Sequence, residues 1–157
     1  MSTAGASPLQ RLSALGQSVW IDFLSRESIR GGHLQHLIDR DAVVGATSNP
    51  TIFEKAMTQG EAYDEQLREL AARGCGVAES FWALAETDIV EACERFHAVW
   101  ERTDRRDGYV SIEVDPRLAY ETLNTFRAAT ACTRRSIAPI CWSRSRPPSR
   151  AWRRSRT

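Results

Sequence analysis

Three apolar runs in this sequence end on polar residues that could do chemistry. "VWID" (19–22) closes on Asp22, "VGATSN" (44–49) on Thr47-Ser48-Asn49, and "VSIE" (110–113) on Glu113. Two carboxylates in unlike surroundings can divide acid and base duty. A side-chain amide both donates and accepts hydrogen bonds. Each residue has a plain structural alternative: Asp22 capping a turn, Glu113 as an edge-strand charge, Asn49-Pro50 as turn chemistry. An Asp, an Asn and a Glu at three successive strand ends are less easily explained that way.

The runs lie within strand candidates at 17–23, 41–50 and 108–116. In the first, Trp20 and Asp22 share one face and Val19 and Ile21 the other; in the third, Ser111, Glu113 and Asp115 oppose Val110, Ile112 and Val114. A carboxylate on an interior face is costly unless it is paired or working. Between the strands lie helical patterns. Ser7-Pro8 starts a short helix that Gly16 stops. "GGHLQHLIDR" (31–40) is a second, with Leu34, Leu37 and Ile38 on one side. "PTIFEKAMTQG" begins at Pro50, and "EAYDEQLRELAARG" (61–74) closes on a glycine. Residues 77–103 repeat apolar positions at helical spacing, with a break expected near Thr87-Asp88. A further helix is expected from residue 117. The order is a helix, then β-α-β-α-α-β-α, which argues for parallel strands with helices outside. In such folds, reacting groups sit at the carboxyl ends of strands.

Composition bounds the remaining possibilities. The 157 residues suffice for one domain with a core. The four cysteines, Cys75, Cys93, Cys132 and Cys141, form no CxxC pair and no zinc spacing. The amino terminus lacks an apolar leader, and no run is long enough to span a membrane, so a cytoplasmic protein is expected. The net charge of +1 conceals a split. Residues 1–121 hold all 20 acidic groups against 12 basic ones, whereas residues 122–157 hold nine arginines and no acid.

"GATSNPTIF" (45–53), "VWIDFLSR" (19–26) and "VSIEVDPRLAY" (110–120) resemble, in order and spacing, the second-, first- and third-strand segments of the transaldolases, in particular the actinobacterial-type branch. The resemblance runs from about residue 8 to about residue 122. It implies a (β/α)8 TIM barrel truncated to about its first three β/α units, an open parallel sheet with helices. It implies transfer of a dihydroxyacetone unit between sugar phosphates in the pentose phosphate pathway, through a Schiff base, with no metal or organic cofactor. Asp22 matches the aspartate that handles protons during carbon–carbon cleavage, and Asn49, with Thr47 and Ser48 beside it, the amide that binds dihydroxyacetone hydroxyls. Glu113 matches the carboxylate that activates water. A related sugar-phosphate aldolase is the nearest alternative.

The sequence departs from the family at one decisive point. The Schiff-base lysine belongs on a fourth strand, and no lysine follows Glu113; Lys55, the single lysine present, reads as a solvated charge on the helix after strand two. A Schiff-base lysine needs a desolvated pocket. Residues 123–157 turn instead to Arg, Ser, Pro, Cys and Trp. Back-translated with permitted codons and read from each third base, residues 131–157 can give LHAAVDRPNLLVKIPATEPGLAAIED. That run holds an apolar strand, a lysine whose codon straddles Ser143 and Arg144, and a typical family continuation. The expectation is a transaldolase-like part over 1–122 and an out-of-frame, disordered tail over 123–157. The chain as written is then inactive. The rival reading is a non-catalytic fragment whose arginines, with Trp142 and Trp152, bind polyanions. No specific nucleic-acid partner is expected.

Overall fold

The computed structural model describes residues 5–59, 61–113, 118, 120–135 and 141–143. Four parallel strands form one sheet in the order β1-β2-β3-β4: Val19–Ile21, Val43–Thr47, Tyr109–Ile112 and Cys141–Ser143. Among the described residues seven helices accompany it: α1 Pro8–Ala14, α2 Arg26–Arg30, α3 His33–Arg40, α4 Pro50–Gln59, α5 Asp64–Ala72, α6 Val77–Arg102 and α7 Thr122–Arg135, with a 3-10 turn at Glu61–Tyr63.

The central strand β2 is buried at all five positions, as expected of a parallel strand covered on both faces. Gly45 on β2 pairs with Trp20 of β1, and a Cβ there would lie 2.4 Å from the Trp20 ring. Glycine is therefore required by the approach of the indole. On the helix side, Val43, Ala46, Val110 and Ile112 join Ala85, Ile89, Ala92, Phe96 and Val99 of α6 in one core. These apolar faces drive α6 onto the sheet. Gly108, at φ 88, turns the chain from α6 into β3 and donates its N–H to Val44 O at 2.7 Å. That bond starts β3 beside β2.

Two expectations need correction. First, α6 does not break near Thr87-Asp88 but runs unbroken from Val77 to Arg102. Asp88 is fully buried and bonded sideways to other elements, and Thr87 Oγ1 returns a bond to Ala83 O at 3.0 Å. Both polar residues are satisfied without opening the helix. Second, the helical stretch at 31–40 is the second of two; α2 precedes α3, and Gly32 at φ 82 makes the joint. Ser25 caps α2, its Oγ accepting from the Ser28 N–H at 3.2 Å.

Among the described residues the sheet also has a fourth strand. It is β4, Cys141–Ser143, and it follows α7, Thr122–Arg135. β4 pairs with β3 in the register Val110–Cys141, Ser111–Trp142, Ile112–Ser143. The physical reason is that a ladder is made by backbone groups, and the free edge of β3 offers them to any extended segment. The rest of the tail, 136–140 and 144–157, lies outside the described residues.

Candidate functional site

The parallel register puts the ends of β1, β2 and β3 at one edge of the sheet. Ile21 pairs with Ala46, and Thr47 with Ser111. Asp22 and Ser48-Asn49 therefore leave the sheet on the same side as Glu113. Bonds between the ends hold them in place. Thr47 Oγ1 donates to Asp22 Oδ1 in a short hydrogen bond. The Ser48 N–H donates to Ser111 O at 2.8 Å, and Ser48 Oγ accepts from the Glu113 N–H at 3.2 Å. Thr47 and Ser48 are buried, at 8% and 4% exposure. Their hydroxyls act as ties between strands: one fixes the Asp22 carboxylate, the other the backbone that carries Glu113.

Asn49 is half-buried and begins α4. Its Oδ1 accepts from the Thr51 N–H at 3.0 Å, and its backbone carbonyl accepts from Ile52 and Phe53. This is the local turn chemistry expected of Asn49-Pro50. It also fixes the amide by one end and leaves Nδ2 as its donor. Lys55 is exposed on α4. Ser48 and Glu113 border a small pocket walled by Phe53, Phe81, Trp82, Ala85, Ile89 and Ile112. Four of those residues belong to α6, so this space lies on the helix side of the sheet and its walls are apolar.

Sequence reasoning missed a buried polar cluster that joins α2 to α5, α6 and the turn before α5. The Arg26 guanidinium is 2% exposed, Tyr63 1% and Asp88 0%. Arg26 Nε donates to Asp88 Oδ1 at 2.7 Å and Nη2 to Gln66 Oε1 at 2.7 Å. Longer contacts of 3.4 Å reach Ala62 O and Leu84 O. The Tyr63 hydroxyl accepts from the Arg26 backbone N–H at 2.9 Å and donates to Asp88 Oδ2 at 2.7 Å. The guanidinium also lies over the Tyr63 ring, 4.4 Å from its centroid. Burial, chiefly, raises the Tyr63 hydroxyl well above its ordinary range, and the Asp88 carboxylate adds to the effect. Burial likewise pushes the Asp88 carboxyl up, while its bonds from Tyr63 and Arg26 pull it back. The signal was present: Asp88 stands on the apolar stripe of α6, four residues from both Leu84 and Ala92. An acid there needs a buried partner.

A parallel sheet with helices around it, and polar side chains gathered where its strands end, defines an α/β protein of the kind that works at its strand termini. The family model for transaldolase/fructose-6-phosphate aldolase matches residues 19–136, and the chain belongs to that family. A transaldolase of Mycobacterium tuberculosis (strain ATCC 25618 / H37Rv) is 50% identical over 127 residues, covering 81% of this chain and 34% of the relative. One from Parafrankia sp. (strain EAN1pec) is 47% identical over 142 residues, covering 90% and 36%. One from Thermobifida fusca (strain YX) is 51% identical over 125 residues, covering 80% and 34%. The chain thus spans about a third of the length of these curated relatives. These relatives are actinobacterial, as the sequence resemblance implied. Among the described residues, no helix is long and apolar enough to cross a membrane.

Proposed function

We propose that residues 1–122 are the amino-terminal part of a transaldolase-like enzyme that moves a dihydroxyacetone unit between sugar phosphates through a Schiff base. The observation that carries this reading is the gathering of Asp22, Asn49 and Glu113 at neighbouring carboxyl ends of parallel strands, in a chain of this family. Asp22 exchanges protons during carbon–carbon cleavage, oriented by Thr47. Asn49 Nδ2 donates to a dihydroxyacetone hydroxyl. Glu113 activates the water of carbinolamine formation and breakdown. The 157 residues hold no lysine beyond Lys55, so the covalent step has no nucleophile and the chain as written is inactive.

The tail is read as the family's fourth-strand segment translated out of frame. The register of β4 supports this. The lysine codon in the other frame straddles positions 143 and 144, and Ser143 pairs with Ile112, the residue before Glu113. A lysine at that level of the fourth strand would stand beside the Glu113 end of the third.

The test is the full-length protein with its reading frame restored. With fructose 6-phosphate and erythrose 4-phosphate it should form sedoheptulose 7-phosphate, and the 157-residue chain should not. The family description also names an aldolase. Release of free dihydroxyacetone without an acceptor, in place of transfer, would assign that second activity instead.

A further inference from the structure

The segment from Asp22 to Arg26 is held at both ends. At one end, Thr47 Oγ1 bonds the Asp22 carboxylate. At the other, Arg26 is fixed by its backbone N–H to Tyr63 Oη at 2.9 Å and by its guanidinium to Asp88 and Gln66, each at 2.7 Å. Ser25 is tied in as the cap of α2, and Leu24 is buried in the core. A guanidinium with these bonds, at 2% exposure, has no face left for a substrate phosphate.

A buried ion pair is weak evidence of stability, because desolvation offsets its Coulomb gain. What this one supplies is direction. Arg26 bonds α6 through Asp88, α5 through Gln66 and the turn before α5 through Tyr63 and Ala62. A planar fork gripped by several partners leaves little freedom to the backbone that bears it. Three residues separate that backbone from Asp22. We infer that Arg26, held by Asp88, Tyr63 and Gln66, is a positioning residue for Asp22: the cluster sets where the strand-one carboxylate stands at the sheet edge. This rests on the proposed role of Asp22 in carbon–carbon cleavage.

The experiment uses the full-length protein with its frame restored, and four forms of it: parent, Arg26→Lys, Asp22→Asn and the double variant. Lysine keeps the charge but cannot make the fork. R26K should lower kcat by roughly tenfold to a hundredfold, the scale on which a misplaced catalytic group acts. KM should stay within about twofold, since substrate contacts are untouched. Trapping by borohydride should persist, because Schiff-base formation does not pass through Asp22. In the D22N background, R26K should cost almost nothing further, since a positioning effect has nothing left to position. Tyr63→Phe, which keeps the ring and ion pair, should give a smaller loss of the same pattern if R26K fails to fold. A merely structural cluster would lower Tm in either background and leave kcat of the folded fraction unchanged. That result, or an equal loss of kcat in the D22N background, overturns the inference while the function stands. A restored parent that neither traps nor transfers overturns the function and this inference with it.

Discussion

Asp22, Thr47, Ser48 and Glu113 divide their work by chemistry. The two hydroxyl residues are buried and spend their bonds on neighbouring strand ends, while Asp22 is exposed and Glu113 half-buried. In the restored protein, Glu113→Gln should slow Schiff-base formation, measured by rapid quench with borohydride. Asp22→Asn should leave that step intact and slow cleavage. Each loss should be on the order of a hundredfold to ten-thousandfold, the usual worth of a placed acid or base. Replacing Thr47 by Val should mimic a milder Asp22 change, because it deletes the hydroxyl that bonds the carboxylate.

Tyr63 carries a pH signature. Its hydroxyl is raised from an ordinary value of 10.0, mainly by burial. The folded state thus holds the proton more tightly than the unfolded one. The resulting stability is fully present below about pH 10 and is lost as pH rises beyond it, because only the unfolded chain then ionises readily. Urea midpoints measured from pH 8 to 11 should fall more steeply for the parent than for Tyr63→Phe. At neutral pH, Y63F should cost about 1–3 kcal/mol, since it orphans the Arg26 N–H and one oxygen of Asp88.

At the scale of elements, α6 is the clearest case of a polar residue that does not mark a boundary. Hydrogen exchange should show one protected stretch through Thr87 and Asp88; fast exchange at those two amides would restore the expected break. Asp88→Ala should be among the most damaging single changes, at about 3–5 kcal/mol, because it leaves a buried guanidinium unpaired. The sequence made β1, β2, β3 and the helices after β2 readable, since their patterns follow periods of two and 3.6. It hid α2, whose five residues are too few to show a period, and whose buried Arg26 looks polar until its partners are known. It hid the cluster for the same reason: Arg26, Tyr63 and Asp88 are separated by 37 and 25 residues. The strand ends were legible because a turn signal, Asn49-Pro50, and carboxylates after β-rich runs are local facts. The ties made by Thr47 and Ser48 were not, since they depend on register.

For the whole molecule, the proposal is that a transaldolase-like site spans three strands while the codon of its lysine lies, out of frame, in the fourth. An open parallel sheet does not supply that nucleophile; covalent catalysis requires an amine at the site, and the charge on Lys55 stands exposed on α4. The 157-residue chain and the frame-restored protein should be incubated with fructose 6-phosphate, reduced with borohydride and mapped by mass spectrometry. The proposed site gives no adduct on the chain as written and one adduct on the restored protein, at the lysine encoded across positions 143 and 144. A reduced adduct at Lys55 of the 157-residue chain, or a restored protein that reacts at some other lysine, would contradict it.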